Sequence, residues 1–296
     1  MKRFKYYQIL IFLLVYTACA THNPRANKNK EVIPQEFIII GHRGTGDPTI
    51  APENTLSSFR FASKQNAGFE LDTMFVKSGE LIVIHDDEVD RTTKSTGKVA
   101  DLTLTEIKSM DAGIKFSEKF KGEKIPTLTE VLNEFGGKTL IDIEIKANAP
   151  REEAERIGEA VALLVKEKKL ENGVIVTSFN PYVLGKLKEI NPEILRGQIY
   201  SDFDDIKEMN YFVKVILRNL WLNRKAVPDV LVPRQNLVNE KYVKEMHDYG
   251  YKIIPWTVND PKDMERLIVC GVDGLITDRP DIAKEIYAKL KQNNQK

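Results

Sequence analysis

From Phe37 onward, short runs of β-branched and aliphatic residues alternate with longer stretches of helical spacing, the order expected of a parallel sheet wrapped by helices. The runs are Phe37 to Gly41, Phe69 to Val76, Leu81 to Ile84, Lys138 to Ile145, Val174 to Phe179, Leu195 to Tyr200, Asp229 to Val232, Lys252 to Val258 and Gly274 to Ile276. That is about as many as a closed eight-stranded barrel requires. One place breaks the alternation. Only Lys77-Ser78-Gly79-Glu80 separates Val76 from Leu81, too little for a parallel crossover, so these two runs are expected to form a hairpin. With Ser78-Gly79 as its turn, Asp72 falls opposite His85 and Glu70 opposite Asp87. The stretch from Asp86 to Gly137 is far longer than an ordinary connection and carries helical patterns at Thr103 to Met110 and Thr127 to Phe135. It predicts a small insertion subdomain after the third strand. No repeat, low-complexity tract or linker divides the rest.

Two strand-like segments carry charge where a core strand should not: Phe69-Glu70-Leu71-Asp72 and Ile141-Asp142-Ile143-Glu144-Ile145-Lys146. Alternate side chains of a strand share a face, so Glu70 projects with Asp72, and Asp142 with Glu144 and Lys146, while isoleucines line the other side of the second segment. If the aliphatic face packs on helices, the carboxylates face the barrel interior or its rim, where unpaired charge costs several kcal/mol or more, on the order of the usual burial penalty. A divalent cation with oxygen ligands answers this. Glu70, Asp72 and Glu144 match Mg²⁺ or Ca²⁺ better than zinc, for which no Cys/His set is present. Arg43 and Lys146 then become holders of phosphate oxygens, the first as a fork and the second as a point charge. An ion-pair network with the same two cations is the structural alternative.

The chain has 296 residues with a formal net charge of +1. That size suits one large domain, and the balanced charge gives no global field for nucleic acid. Ahead of the domain, basic Lys2, Arg3 and Lys5 precede the apolar run Ile9 to Tyr16 and the small residues up to Cys19 and Ala20. The run is too short to span a bilayer and has the layout of an export signal, so residues 1–20 read as a signal peptide and the protein as exported to the cell envelope. Tyr16-Thr17-Ala18-Cys19 is similar to a lipoprotein box, which makes Cys19 a lipidation site and the membrane a partner through an N-terminal anchor; ordinary signal cleavage is the other reading. Residues 21–35 read as a polar tether and 36–292 as the barrel domain. Cys270 then lacks a disulfide partner and reads as a buried small hydrophobe.

His42 and Arg43 directly follow the first strand and His85 follows the third. Strand ends are where parallel α/β barrels carry active sites. His22 falls in the tether and His247 in a polar helical stretch, leaving two strand-end histidines near carboxylates. Trp256, late in a strand, reads equally as a contact for substrate and as barrel core, and Asn54 or Thr55 reads as a helix cap. Tyr211 to Trp221, aromatic with interspersed Lys214 and Arg218, reads as an outer barrel helix rather than a lipid-binding face.

The ordered set His42-Arg43-Gly44, Pro52-Glu53-Asn54-Thr55, Glu70-Leu71-Asp72, His85-Asp86, Asp90-Arg91-Thr92-Thr93, Asp111-Ala112-Gly113, Ile143-Glu144-Ile145-Lys146, Pro255-Trp256-Thr257-Val258-Asn259 and Thr277-Asp278-Arg279-Pro280 resembles the glycerophosphodiester phosphodiesterase family. The resemblance implies an α/β fold, a (β/α)8 TIM barrel with an insertion, hydrolysing glycerophosphodiesters to an alcohol and sn-glycerol 3-phosphate. It places the metal carboxylates on Glu70, Asp72 and Glu144, the catalytic acid and base on His42 and His85, and phosphate contacts on Arg43 and Lys146, with His42 as base and His85 as acid the preferred assignment. No protein partner is implied. Two other readings are a phospholipase D type activity on lysophospholipids or sphingomyelin, and a surface protein that binds metabolites without turnover.

Overall fold

The structure, a computed structural model, describes residues 36–146, 151–204, 207, 210–218 and 222–293. The expected signal segment with Cys19, the tether and Trp221 lie outside the described residues. Each β-branched run forms a strand: β1 (Ile38–Gly41), β2 (Gly68–Phe75), β3 (Leu81–Val83), β4 (Ile141–Ile145), β5 (Val174–Ser178), β6 (Leu195–Tyr200), β7 (Val230–Pro233), β8 (Lys252–Ile253) and β9 (Gly274–Thr277). All except β3 run parallel in the order β8-β7-β6-β5-β4-β2-β1-β9. The seam between β8 and β9 is drawn together by backbone bonds from Asp273 N–H to Ile253 O (2.9 Å) and from Ile276 N–H to Pro255 O (3.0 Å). The result is a nearly closed barrel. β8 is shorter than its sequence run: Ile254 and Trp256 N–H still bond Leu231 and Pro233 O across to β7, but Pro233 has no N–H to donate in return.

The hairpin forms, but one residue out of the expected register. Thr73 faces Val83 and Phe75 faces Leu81, and Ile84 N–H bonds Asp72 O at 3.1 Å, so Ile84 and not His85 lies opposite Asp72. The cause is the turn. Val76 pairs with Glu80 around a three-residue loop that ends on Gly79 at φ 96°, a loop length whose glycine suits the twist of the strands.

Around the barrel run α1 (Leu56–Lys64), α2 (Leu104–Ser109), α3 (Leu128–Phe135), α4 (Arg151–Lys168), α5 (Pro181–Ile190), α6 (Tyr211–Arg218), α7 (Asn223–Ala226), α8 (Glu240–Asp248), α9 (Pro261–Val269) and α10 (Pro280–Asn293). Their starts follow from local chemistry. Thr103 and Thr127 build capping boxes with Glu106 and Glu130, and Asn180 and Asp260 cap helices whose first residue is proline. The long insertion divides in two. Residues up to Ile125 close a small core of their own with Val76, Ile82, Val89, Val99 and Ile107, whereas α3 gives Leu128, Val131, Leu132 and Phe135 to the main core between barrel and helices. Cys270 is only partly covered, because it ends α9 rather than sitting within the packed segment. α6 lies outside the barrel with Tyr211 and Phe212 exposed, and no helix among the described residues is long and apolar enough to cross a membrane.

The strand period sets what faces inward. On β2 and β4 the odd-numbered Phe69, Leu71, Ile141, Ile143 and Ile145 pack outward on the helices. Their even-numbered neighbours Glu70, Asp72 and Asp142 are buried facing the barrel interior. Elsewhere the interior is aliphatic, with Ile40, Ile175, Leu195, Ile199, Val232 and Ile276 in one cluster.

Candidate active site

At the carboxyl ends of the strands a cavity of about 190 Å³ is lined by His42, Arg43, Glu70, His85, Asp142, Glu144, Lys146, Thr177, Phe179 and Trp256, over an aliphatic floor of Ile199, Val232 and Ile276. β2 and β4 pair in parallel with Glu70 beside Asp142 and Asp72 beside Glu144. This register brings one oxygen each of Glu70, Asp72 and Glu144 within 4.8 Å of one another. Segments about seventy residues apart in sequence thus converge as their charge pattern foretold.

Cations share the cluster. Lys146 Nζ lies 2.5 Å from Asp72 Oδ1 and 3.2 Å from Glu144 Oε1, and Arg43 Nε is 3.6 Å from Asp72 Oδ2. The ion-pair network of the alternative reading is therefore present, but it does not satisfy every carboxylate. Burial works against the Asp72 carboxylate, yet Lys146, Arg43 and His85 outweigh it and hold its pKa far below the usual range. Glu70 shows the reverse. Burial, reinforced by the charges of Asp72, Glu144 and Asp142, drives its pKa well up despite the bond it accepts from Arg43 N–H at 2.8 Å. Its Oε1 is buried without a hydrogen-bond partner among the described residues. An orphaned oxygen on a buried carboxylate, beside two further carboxylates, is what a hard divalent cation completes, so the donor set fits Mg²⁺ or Ca²⁺. Asp142, one step deeper, is pushed up to about 8 by burial and by Glu144 and Asp72, although Thr177 Oγ1 donates to it at 2.8 Å.

The loop after β1 is tight. Gly44 N–H bonds Gly41 O at 3.0 Å, and a Cβ on Gly41 would meet Gly44 O at 1.8 Å. Between them Arg43 is left-handed at φ 53°, a strain that turns its N–H onto Glu70 and its guanidinium toward the acids. Both strand-end histidines are backed by carboxylates. His42 Nδ1–H donates to Asp278 Oδ1 at 2.7 Å and His85 Nδ1–H to Asp86 Oδ1 at 2.6 Å. Burial opposes ionisation of both acids, but Arg91 and His85 bring Asp86 down to about 2, and His42 and Asn259 lower Asp278. Each ring thus leaves Nε2 for chemistry.

Several participants escaped the sequence reading. Thr55 is the cap of α1, as expected, but Asn54 is not. It is buried and left-handed at φ 55°, and its amide donates to Asp72 Oδ2 at 2.9 Å while its carbonyl accepts from Asp72 N–H at 3.3 Å. Glu53 accepts from Arg43 at 2.9 Å. Asp278 follows β9 directly, so the strand-end rule that picked out His42 and His85 would have found it. Trp256 sits half-buried in the cavity wall, edge-on to Phe179 with centroids 5.5 Å apart, and its buried Nε1 has no partner among the described residues. His247 pairs with Asp273 at 2.8 Å on α8, outside the cavity lining.

The family model described as glycerophosphoryl diester phosphodiesterase matches residues 42–282. A glycerophosphodiester phosphodiesterase of Caldanaerobacter subterraneus subsp. tengcongensis is 41% identical over 254 residues, covering 85% of this chain and 98% of that protein. Among solved structures, an Oleispira antarctica phosphodiesterase in complex with the product sn-glycerol-3-phosphate is 26% identical with a TM-score of 0.68, covering 86% of this chain and 96% of that one. A Silicibacter pomeroyi protein, 23% identical with a TM-score of 0.71 over 87% of this chain and 95% of that one, shares the fold. From barrel to strand-end cluster and across most of its length, the chain belongs to the glycerophosphoryl diester phosphodiesterase family.

Proposed function

We propose that this phosphodiesterase cleaves glycerophosphodiesters to an alcohol and sn-glycerol 3-phosphate by histidine acid/base catalysis at a site that takes one divalent cation, Mg²⁺ or Ca²⁺. The observation that carries the reading is the meeting, in one cavity, of two carboxylate-backed imidazoles with three acids and two cationic side chains. The Oleispira relative's complex with sn-glycerol-3-phosphate supports the same product here. Glu70, Asp72 and Glu144 would hold the cation, whose chemistry is to neutralise charge on a phosphoryl oxygen.

Arg43 and Lys146 grip the phosphoryl oxygens once substrate draws them from their carboxylate partners. His42 takes a proton from the attacking oxygen as the new P–O bond forms, and His85 gives one to the alkoxide as the old P–O bond breaks. The attacking oxygen belongs to water or to the neighbouring glycerol hydroxyl; a cyclic 1,2-phosphodiester trapped in a quenched reaction marks the second route. Phe179 and Trp256 offer an apolar side to the glycerol carbons. A non-catalytic binder has no use for two oriented imidazoles. Exposed Tyr211 and Phe212 on α6 favour a second reading, activity on lysophospholipids, which comparison of glycerophosphocholine with lysophosphatidylcholine separates. Export and Cys19 lipidation belong to the same proposal; radiolabelled fatty acid incorporated by wild type and not by Cys19→Ala supports the anchor. The decisive test is a coupled sn-glycerol 3-phosphate assay across glycerophosphodiesters with chelator and metal add-back. Release that chelator stops and one cation restores is expected; no release from any diester overturns the proposal.

A further inference from the structure

An unbroken chain of charged hydrogen bonds joins Arg43 to His85 through Glu53 on one segment and Asp86 and Arg91 on another. Arg43 Nη1 donates to Glu53 Oε1 at 2.9 Å. Arg91 fills both oxygens of Glu53, each at 2.7 Å, and with its other edge grips Asp86, Nε to Oδ2 at 2.5 Å and Nη2 to Oδ1 at 3.1 Å. Asp86 Oδ1 then accepts from His85 Nδ1 at 2.6 Å. Glu53 precedes α1, whereas Asp86 and Arg91 both lie at the start of the insertion, Arg91 in the Asp90-Arg91-Thr92-Thr93 stretch, which takes no part in the proposed mechanism.

The other imidazole is held differently. Asp278, the partner of His42, is steadied by Asn259 Nδ2 at 2.5 Å, with both residues on the strand-end rim and no guanidinium among the described residues donating to that carboxylate. On the His85 side the steadying group is a planar fork filled on two edges. Such a group can fix two carboxylates in one plane, whereas an ammonium can only neutralise them. The Arg91 and Asp86 side chains are 45% and 31% exposed, so their ion pair adds little to stability, while Glu53, 11% exposed, keeps its bond from Arg43 without Arg91.

Resting on the function proposed above, we propose that Arg91 is a positioning residue: through Asp86 it fixes the ring plane and Nδ1–H tautomer of His85, and through Glu53 the orientation of the Arg43 fork. The insertion thereby sets proton transfer and phosphate grip together. An imidazole whose backing carboxylate swings free spends time in the wrong plane, and a fork whose anchor is loose holds phosphate less well.

The test is steady-state hydrolysis of glycerophosphocholine by Arg91→Ala, Arg91→Lys, Asp86→Asn and the Arg91→Ala/Asp86→Asn double variant. Arg60→Ala serves as control, since it removes from α1 a guanidinium of similar exposure, 49% against 45%, that is bidentate to Glu134 of α3. Arg91→Ala is expected to lower kcat about tenfold or more, in keeping with the loss of a single positioning contact, to raise KM several-fold and to displace one limb of the kcat pH profile. Its thermal midpoint should stay near that of Arg60→Ala. Arg91→Lys should not restore kcat, and the double variant should lose no more kcat than Asp86→Asn alone while showing the raised KM of Arg91→Ala, because the His85 branch runs through Asp86 and the Arg43 branch through Glu53. Wild-type kcat and pH profile in Arg91→Ala, full activity in Arg91→Lys, or multiplying kcat losses in the double variant would each overturn the inference. A wild type inactive on every glycerophosphodiester instead removes the function on which it rests.

Discussion

Two walls of the barrel interior are made of the same unit, a parallel strand with alternate residues turned inward, and carry opposite chemistry. From β5 round to β9 and β1 the inward positions hold Ile175, Leu195, Ile199, Val232, Ile276 and Ile40. On β2 and β4 the equivalent positions hold Glu70, Asp72, Asp142 and Glu144. Neither wall explains the site by itself. The aliphatic wall keeps the surroundings poorly polarisable, so charges on the acidic wall act on one another strongly. That is why neighbouring carboxyls part company, Asp72 drawn down by Lys146 and Arg43 against its burial, and Glu70 and Asp142 driven up by burial and their acidic neighbours. A low-dielectric setting with an unmet demand for positive charge is what prepares the site for a cation and an anionic diester.

The contrast can be broken from either side. The largest effect belongs to the imidazoles at the rim of the acidic wall: His42→Ala or His85→Ala should lower kcat by roughly 10²-fold or more while leaving thermal stability nearly intact. Unchanged turnover in both would show that the chemistry lies elsewhere. Next, Glu144→Ala should chiefly alter metal dependence, raising the cation concentration for half-maximal activity about tenfold or more; titration with Mg²⁺ and Ca²⁺ reads this directly, and an unmoved midpoint removes Glu144 from the ligand set.

On the aliphatic wall the signature should invert. Ile199→Ala opens a cavity in the interior cluster and should cost about 2 to 5 kcal/mol of stability, with kcat changing only a few-fold. Denaturant unfolding beside kinetics decides this, and a hundredfold kcat loss with wild-type stability would erase the distinction between the walls. The smallest effect concerns pH. Asp142 titrates near 8 in the folded chain against an ordinary value near 3.8, so without added metal its contribution to stability is full below about pH 4 and is lost as pH rises through about 8. Asp142→Asn keeps the oxygen that Thr177 bonds and cannot ionise. Its thermal midpoint relative to wild type should therefore climb by about 2 °C or more between pH 5 and pH 9, and a constant difference would mean that Asp142 is ionised throughout.

Comparing the hairpin with the acidic pair shows where reading from the chain stops. β2 and β4 were legible together because each alternates acid with aliphatic, and a one-residue slip between them would have driven Glu70 or Glu144 into the helix layer. The β2 to β3 hairpin carries no such penalty along Met74 to Val83, so its register was left to the loop, and three residues ending on Gly79 moved it by one. Asn54 misled for a related reason. Asparagine before a helix is a good cap, and nothing local distinguishes that use from a bridge to Asp72 on another strand.

What the sequence determined by itself is whatever repeats at short range: the strand and helix order, the inward carboxylates, and the strand-end positions of His42 and His85. Only the tertiary structure decided which distant groups complete them, Asp278 behind one ring, Asp86, Arg91 and Glu53 behind the other, and Lys146 reaching from β4 to Asp72. The physical reason is that periodicity is a property of neighbours along a chain, whereas a hydrogen bond between segments depends on closure of the barrel, which no local pattern encodes.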